Sequence, residues 1–191
     1  MSDAMPPFSD KAAQETLLRR MGTDLAEARA RLARFEFEAM LRDLRGPDPF
    51  GAPARFGARP GHRAGGGPAA ARRHETASAP PPLQVPLGSI AWSSDATRLA
   101  VLGVHCPDLP DVVLAAALTT VLGQHHRRPF ARLVFVCDSF RPVVFLGRYG
   151  FATHVLGGES VADAGPWLAR RFAISQIRAL ENAALLWTAT G

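Results

Sequence analysis

Residues 99–137 read LAVLGVHCPDLPDVVLAAALTTVLGQHHRRPFARLVFVC. Two wholly apolar runs, Leu99–Val104 and Leu133–Cys137, flank an alanine- and leucine-rich stretch from about Pro110 to Gln124. A strand buried on both faces shows no polar alternation, so each apolar run predicts a central strand of a mostly parallel sheet. Pro107 and Pro110 break the first run, and a proline suits the first turn of the helix that follows. Arg127, Arg128 and Pro129 end that helix. Strand, crossover helix and strand make a βαβ unit. The fold class is therefore α/β, a small layered domain around a short, mostly parallel sheet.

Working outward from this unit, Asp108 or Asp111 is placed to cap the middle helix, and Asp138 with Ser139 to cap the next. A short helix is expected over Arg141–Arg148 and a third strand over Phe151–Leu156, with Gly157 and Gly158 turning the chain. The apolar residues from Trp167 through Phe172, Ile174, Ile177, Leu180 and Leu185 to Trp187 predict one last helix that begins near Pro166. On the other side, alternation of Ile90 and Trp92 predicts a short strand over Ile90–Ser93, and Asp95 marks a turn. The domain so defined spans 88–191.

Ahead of it, residues 46–87 contain GPDPFGAPARFGARPGHRAGGGP and ASAPPP. Prolines remove amide donors, glycines raise the entropic cost of order, and little can be buried. A disordered linker is expected. Phe50 and Phe56 recur there as PFG and RFG, without a role that the sequence assigns.

Residues 10–45 read as a charged amphipathic helix after a disordered tail, 1–9. Ser9 and Asp10 are placed to cap it, and Gly46-Pro47 ends it. Leu18, Met21, Leu25, Ala28, Leu32 and Phe35 follow a 3,4 spacing, the seam of a coiled coil. Near Phe37 the apolar stripe shifts to Phe37, Leu41 and Leu44. An apolar stripe needs a mate, either the chain's own C-terminal domain or another chain. A long linker follows, so the stripe need not fold back, and Leu18, Met21, Leu25, Leu32 and Phe35 are the expected contacts to a partner protein or to a second copy.

The net charge of +5 carries little weight, because the N-terminal helix holds eight basic and seven acidic residues and the excess sits in linker arginines. A nucleic-acid partner is not expected. Cys106 and Cys137 are the only cysteines; two lone thiols in apolar runs do not make a disulfide framework. With no run of 18 apolar residues and no signal-like start, a cytoplasmic protein is expected.

Ligands of open α/β sheets bind at the carboxyl ends of the strands. Those ends carry His105, Cys106 and Asp108 on one strand, and Cys137, Asp138 and Ser139 on the next. Convergence of these groups would permit a thiolate nucleophile or a metal site. Adjacent residues of a strand, however, face opposite ways. Buried structural cysteines, no catalytic residue, no metal and no cofactor are the expectation, with a solvated role for His125 and His126.

Residues 99–155 resemble the second half of a GNAT-type N-acetyltransferase. SFRPVVFLGRYGF (139–151) places Phe145, Arg148, Gly150 and Phe151 as the family's end motif does, and LAAALTTVLGQH and LVFVC stand where its helix and strand belong. The resemblance implies an acyl-CoA-binding enzyme or a degenerate one. The family's R-x-x-G-x-G pyrophosphate turn is here His105-Cys106-Pro107-Asp108-Leu109-Pro110, with few amide donors, no glycine and one carboxylate. The same unit also resembles half of a Rossmann-like nucleotide-sugar-binding domain, again without the glycine-rich turn. The sequence therefore leads to a non-catalytic accessory or adaptor protein, with those enzyme classes as the alternative.

Overall fold

The structure, a computed structural model, describes residues 8–51 and 81–189. The elements are α1 (Phe8–Leu44), a 3-10 turn (Ala96–Arg98), β1 (Val101–Cys106), α2 (Asp111–Arg127), β2 (Arg132–Cys137), α3 (Arg141–Arg148), β3 (Ala152–Val155), α4 (Val161–Phe172), β4 (Ile174–Ala179) and β5 (Leu185–Thr188). One five-stranded sheet has the order β3-β2-β1-β4-β5. The first four strands are parallel and β5 is antiparallel to β4.

The apolar runs of 99–137 do form the sheet's centre, and alternation along them builds two cores. Leu133, Phe135 and Cys137 join Val104 and Cys106 against Leu114, Leu118 and Leu122 of α2 and Phe145 and Leu146 of α3. Val134 and Val136 turn the other way, with Val101, Ile174 and Ile177, onto Ala164, Leu168 and Phe172 of α4. The chain winds outward from β1 to β2 to β3, then returns over the opposite face through α4 to set β4 on the other side of β1. The direction of winding thus reverses between β1 and β4, as in doubly wound sheets.

Several expectations need correction. The predicted helix from Pro166 to Trp187 is instead α4 followed by a β-hairpin. Ser160 caps α4, its hydroxyl accepting from Asp163 N, and Ala173 ends the helix in the left-handed region at φ 56°. Pro166 lies inside α4 rather than at its start. Ile90–Ser93 is not a strand. Ile90 is a fully buried loop residue whose carbonyl accepts from the His126 ring.

The expected linker is shorter than 46–87. Phe50 is buried edge-on against Phe145, 5.8 Å between ring centroids. At the other end, Leu83 N donates to Arg171 O, Val85 enters the α4-side core, and Ser89 N donates to Tyr149 O. Gly88 holds φ 90° beneath Phe151, whose ring a Cβ would meet at 2.5 Å, so only glycine fits this crossing. Residues 46–51 and 81–87 are therefore ordered by burial. Phe56, residues 52–80 and the tail 1–7 lie outside the described residues.

The helix of the first block is docked along its C-terminal half. Met40 and Leu44 are buried in the core against α2 and α3. Phe37 stacks on His126 at 4.1 Å and 7°, and Arg29 lies over the Trp92 ring, 4.6 Å from its centroid. Asp43 accepts from Arg148 at 2.5 Å and from Tyr149 Oη at 2.7 Å. An expected separation of helix and domain by a free tether is thus overturned for residues 33–44. The shift of the stripe near Phe37 marks where docking takes over.

Candidate functional site

The carboxyl ends of β1 and β2 bring some of the predicted residues together. In register, His105 pairs with Val136 and Cys106 with Cys137, and Asp138 N donates to Cys106 O. His105 Nε2 and Asp138 Oδ1 lie 3.0 Å apart. The two side chains are on the α4 face, which the alternation of β1 and β2 dictates. Asp138 therefore serves His105 and not α3, whose N-cap is Phe140 without a side-chain hydrogen bond.

Both cysteines are free, fully buried and turned to the opposite face, among the residues packed under α2 and α3. Hydrogen bonding with Cys137 pushes the Cys106 thiol well above its ordinary value, helped by burial and by the negative charge of Asp138. A thiol so placed stays protonated and unreactive. His105 and Cys106 consequently do not converge. Among the described residues, no group of three or more metal-ligating side chains gathers.

Asp108 and Asp111 are held by one cation that the sequence reading did not single out. Arg141 donates to Asp108 Oδ1 at 2.5 Å, to Asp111 Oδ1 at 2.7 Å and to Leu109 O at 2.8 Å. Its guanidinium holds the Asp108 carboxyl below the usual range. Neither aspartate caps α2 by a side-chain bond; Pro110 is the N-cap residue. The turn ahead of α2 thus meets an incoming anion with two carboxylates, a missing proline amide and a cation already engaged. Ser139, half-buried beside this turn, adds a hydroxyl near Asp108.

The residues behind the acetyltransferase resemblance have structural tasks. Phe145, Tyr149 and Phe151 are core residues, and Arg148 binds Asp43. Burial, then the bond to Asp43, raises the Tyr149 phenol well above its ordinary value, so it remains a neutral donor. His125 and His126 are not solvated as expected. They occupy the last turn of α2: His125 is fully buried with Nε2 on Leu87 O at 2.8 Å, and His126 is sandwiched between Phe37 and Ile90 O.

The other candidate surface is the projecting part of α1. Leu18, Met21, Leu25, Leu32 and Phe35 are all at least half exposed, Leu18 at 67%, and Leu17 beside them is equally bare. Burial begins only at Ala33 and continues through Met40 and Leu44, on a different side of the helix. The 3,4 spacing thus yields a continuous apolar ridge of about 27 Å, at 1.5 Å per residue from Leu18 to Phe35, that nothing among the described residues covers. Nor is any helix among the described residues long and apolar enough to cross a membrane.

No family model matches the chain, and neither a curated protein nor a solved structure matches it.

Proposed function

We propose that this protein is a non-catalytic adaptor that engages a protein through the exposed seam of α1, with the α/β domain as the body that holds and presents the helix. One observation carries this reading. The helix is anchored on the domain by Met40, Leu44 and the Asp43 bonds, yet the better heptad pattern, Leu18 to Phe35, is left in solvent. An anchored helix with a bare apolar ridge is stabilised by burying that ridge against another helix or groove. The strand-end polar groups support the same reading, since His105 is tied to Asp138, and Asp108 and Asp111 to Arg141.

Capture of binding proteins by the full chain, compared with a Leu25→Asp/Leu32→Asp variant, tests the reading. Binding should be lost in the variant while the domain's melting transition stays. A full-length chain is required because deletion of residues 1–45 would strip Met40 and Leu44 from the core. Capture of the same proteins by both forms would overturn the proposal. Binding of an acyl-CoA or a nucleotide sugar, read as a rise in Tm, would favour an enzyme of either class instead.

A further inference from the structure

We infer that the partner of the α1 seam is a second copy of this chain, paired parallel and in register. This rests on the adaptor reading of α1 and adds its occupant and orientation. With Leu18, Leu25 and Leu32 at one seam position and Met21, Ala28 and Phe35 at the other, the flanking positions are fixed by the heptad. Leu17, Asp24 and Arg31 precede each leucine. Gly22, Arg29 and Glu36 follow the Met21, Ala28 and Phe35 positions. In a parallel pair each residue of the first set faces the residue five further on in the other copy.

Those pairings are complementary from Leu17 to Glu36, whereas the next one sets Glu38 against Asp43, a carboxylate already bound to Arg148 and Tyr149 of its own domain. Asp24 meets Arg29 of the second copy, and Arg31 meets Glu36, each twice by symmetry. Leu17, exposed on the isolated helix, meets Gly22, where a Cβ would touch nothing within 4 Å. The small residue leaves room for the apolar side chain across the pair. An antiparallel pair that matches Leu18 to Phe35 keeps only Asp24 against Arg31. It sets Glu15 against Glu36 and Leu17 against Glu38. Within the exposed stretch 17–36 the parallel arrangement thus keeps two opposite-charge pairings where the antiparallel one keeps one, and this favours the parallel pair.

The fold leaves room for it. At 100° per residue the docked residues Ala33, Phe37, Met40 and Leu44 centre roughly 120° around the helix from the seam, so each domain lies to the outside of the pair. Arg31 is available for exchange, whereas Arg29 is already engaged by its own domain. Arg31 contacts only the exposed Glu27, at 3.4 Å, and such a pair is worth little in water. Arg29 rests over Trp92 on the side of the helix that adjoins the domain.

The test is the mass of the full chain by light scattering over a range of concentration, with two charge variants. The wild type should pass from monomer to dimer as concentration rises. Asp24→Arg should shift that transition about tenfold or more to higher concentration by opposing Arg29. Asp24→Arg combined with Arg29→Asp should restore it. In an antiparallel pair Arg29 faces Gly22, so the second change would bring no rescue. Orientation is read independently by mild oxidation of Met21→Cys, which should cross-link to itself; cross-linking only in a mixture with Leu32→Cys would overturn the parallel register. A wild type monomeric at all concentrations would overturn self-pairing. If seam-dependent capture of another protein persisted in that case, the adaptor reading would stand. A dimer that survives Leu25→Asp/Leu32→Asp would remove the seam as the dimer interface and overturn the present inference alone.

Discussion

His125 shows how a single side chain ties stability to pH. Its ring is enclosed by Phe130 and Phe151, Nε2 bonds Leu87 O, and Nδ1 has no partner among the described residues. Burial lowers its pKa, against the opposing pull of the Leu87 carbonyl, and the neighbouring His126 lowers it further. Burial lowers His154 too, beside Trp167. A base whose folded pKa is depressed stays neutral when folded but takes up a proton when unfolded. Its contribution is complete above the ordinary histidine value of about 6.5 and declines as pH falls toward the depressed folded value. The Tm should therefore drop between pH 7.5 and 5.5. His125→Gln keeps a donor for Leu87 O and cannot charge, so the drop should shrink, with His154 left to supply the remainder. An unchanged pH slope in that variant would show that His125 is protonated without penalty.

Phe135 belongs to the same scale. It is fully buried at the centre of β2 and meets Phe151 edge-on, 5.4 Å between centroids. Phe135→Ala should cost about 3–5 kcal/mol, a large part of the 5–15 kcal/mol typical of a whole domain. Chemical denaturation reads the loss directly, and a cost under about 1 kcal/mol would mean that the site closes around the gap. Both thiols should label slowly with an alkylating reagent in the folded protein, because each is fully buried and the Cys106 thiol is pushed up. Fast labelling of either one before unfolding would contradict this placement.

At the scale of elements, β1, α2, β2, α3 and β3 were legible because apolar runs and proline breaks state their own period. The C-terminal elements were not, and a β-bulge explains why. Val101 pairs with Ile174 and Leu102 with Gln176, which leaves Ser175 as an extra residue. The bulge puts Ile174 and Ile177 on one face although they are three apart, a helical spacing in an extended strand. The α4 terminus was hidden for a second reason: Ala173 takes the left-handed position that glycine usually marks. Ala173→Gly should therefore stabilise the protein by about 1 kcal/mol, through relief of Cβ strain. The midpoint of chemical denaturation would show it, and a loss of stability would mean that the alanine methyl packs there. The strand-end site was legible in its residues but not in its pairings. His105 and Asp138 are 33 positions apart, and only the register of β1 with β2 sets them together. Arg141 was missed because a helix-starting arginine carries no motif.

At the scale of the whole molecule, α1 unites two kinds of apolar surface that the sequence ran together. Met40 is fully buried and Leu44 nearly so, whereas Leu25 and Leu32 are more than half exposed. The two sets should respond in opposite ways to substitution. Met40→Ala removes core volume and should cost about 2–5 kcal/mol. Asp43→Ala leaves Arg148 and Tyr149 without their shared acceptor, and for the buried Tyr149 that loss is of order 1–3 kcal/mol. Leu25→Asp with Leu32→Asp places charges only in solvent on the isolated chain. At concentrations where the chain is monomeric, its unfolding free energy should then match the wild type within about 0.5 kcal/mol. At higher concentrations the wild type should gain stability with concentration and the double variant should not, since a partner that binds only the folded form raises its apparent stability. Loss of stability in the dilute double variant would place Leu25 and Leu32 in the fold's own core. A projecting seam that stands apart from the docked half of α1 would then no longer describe this protein.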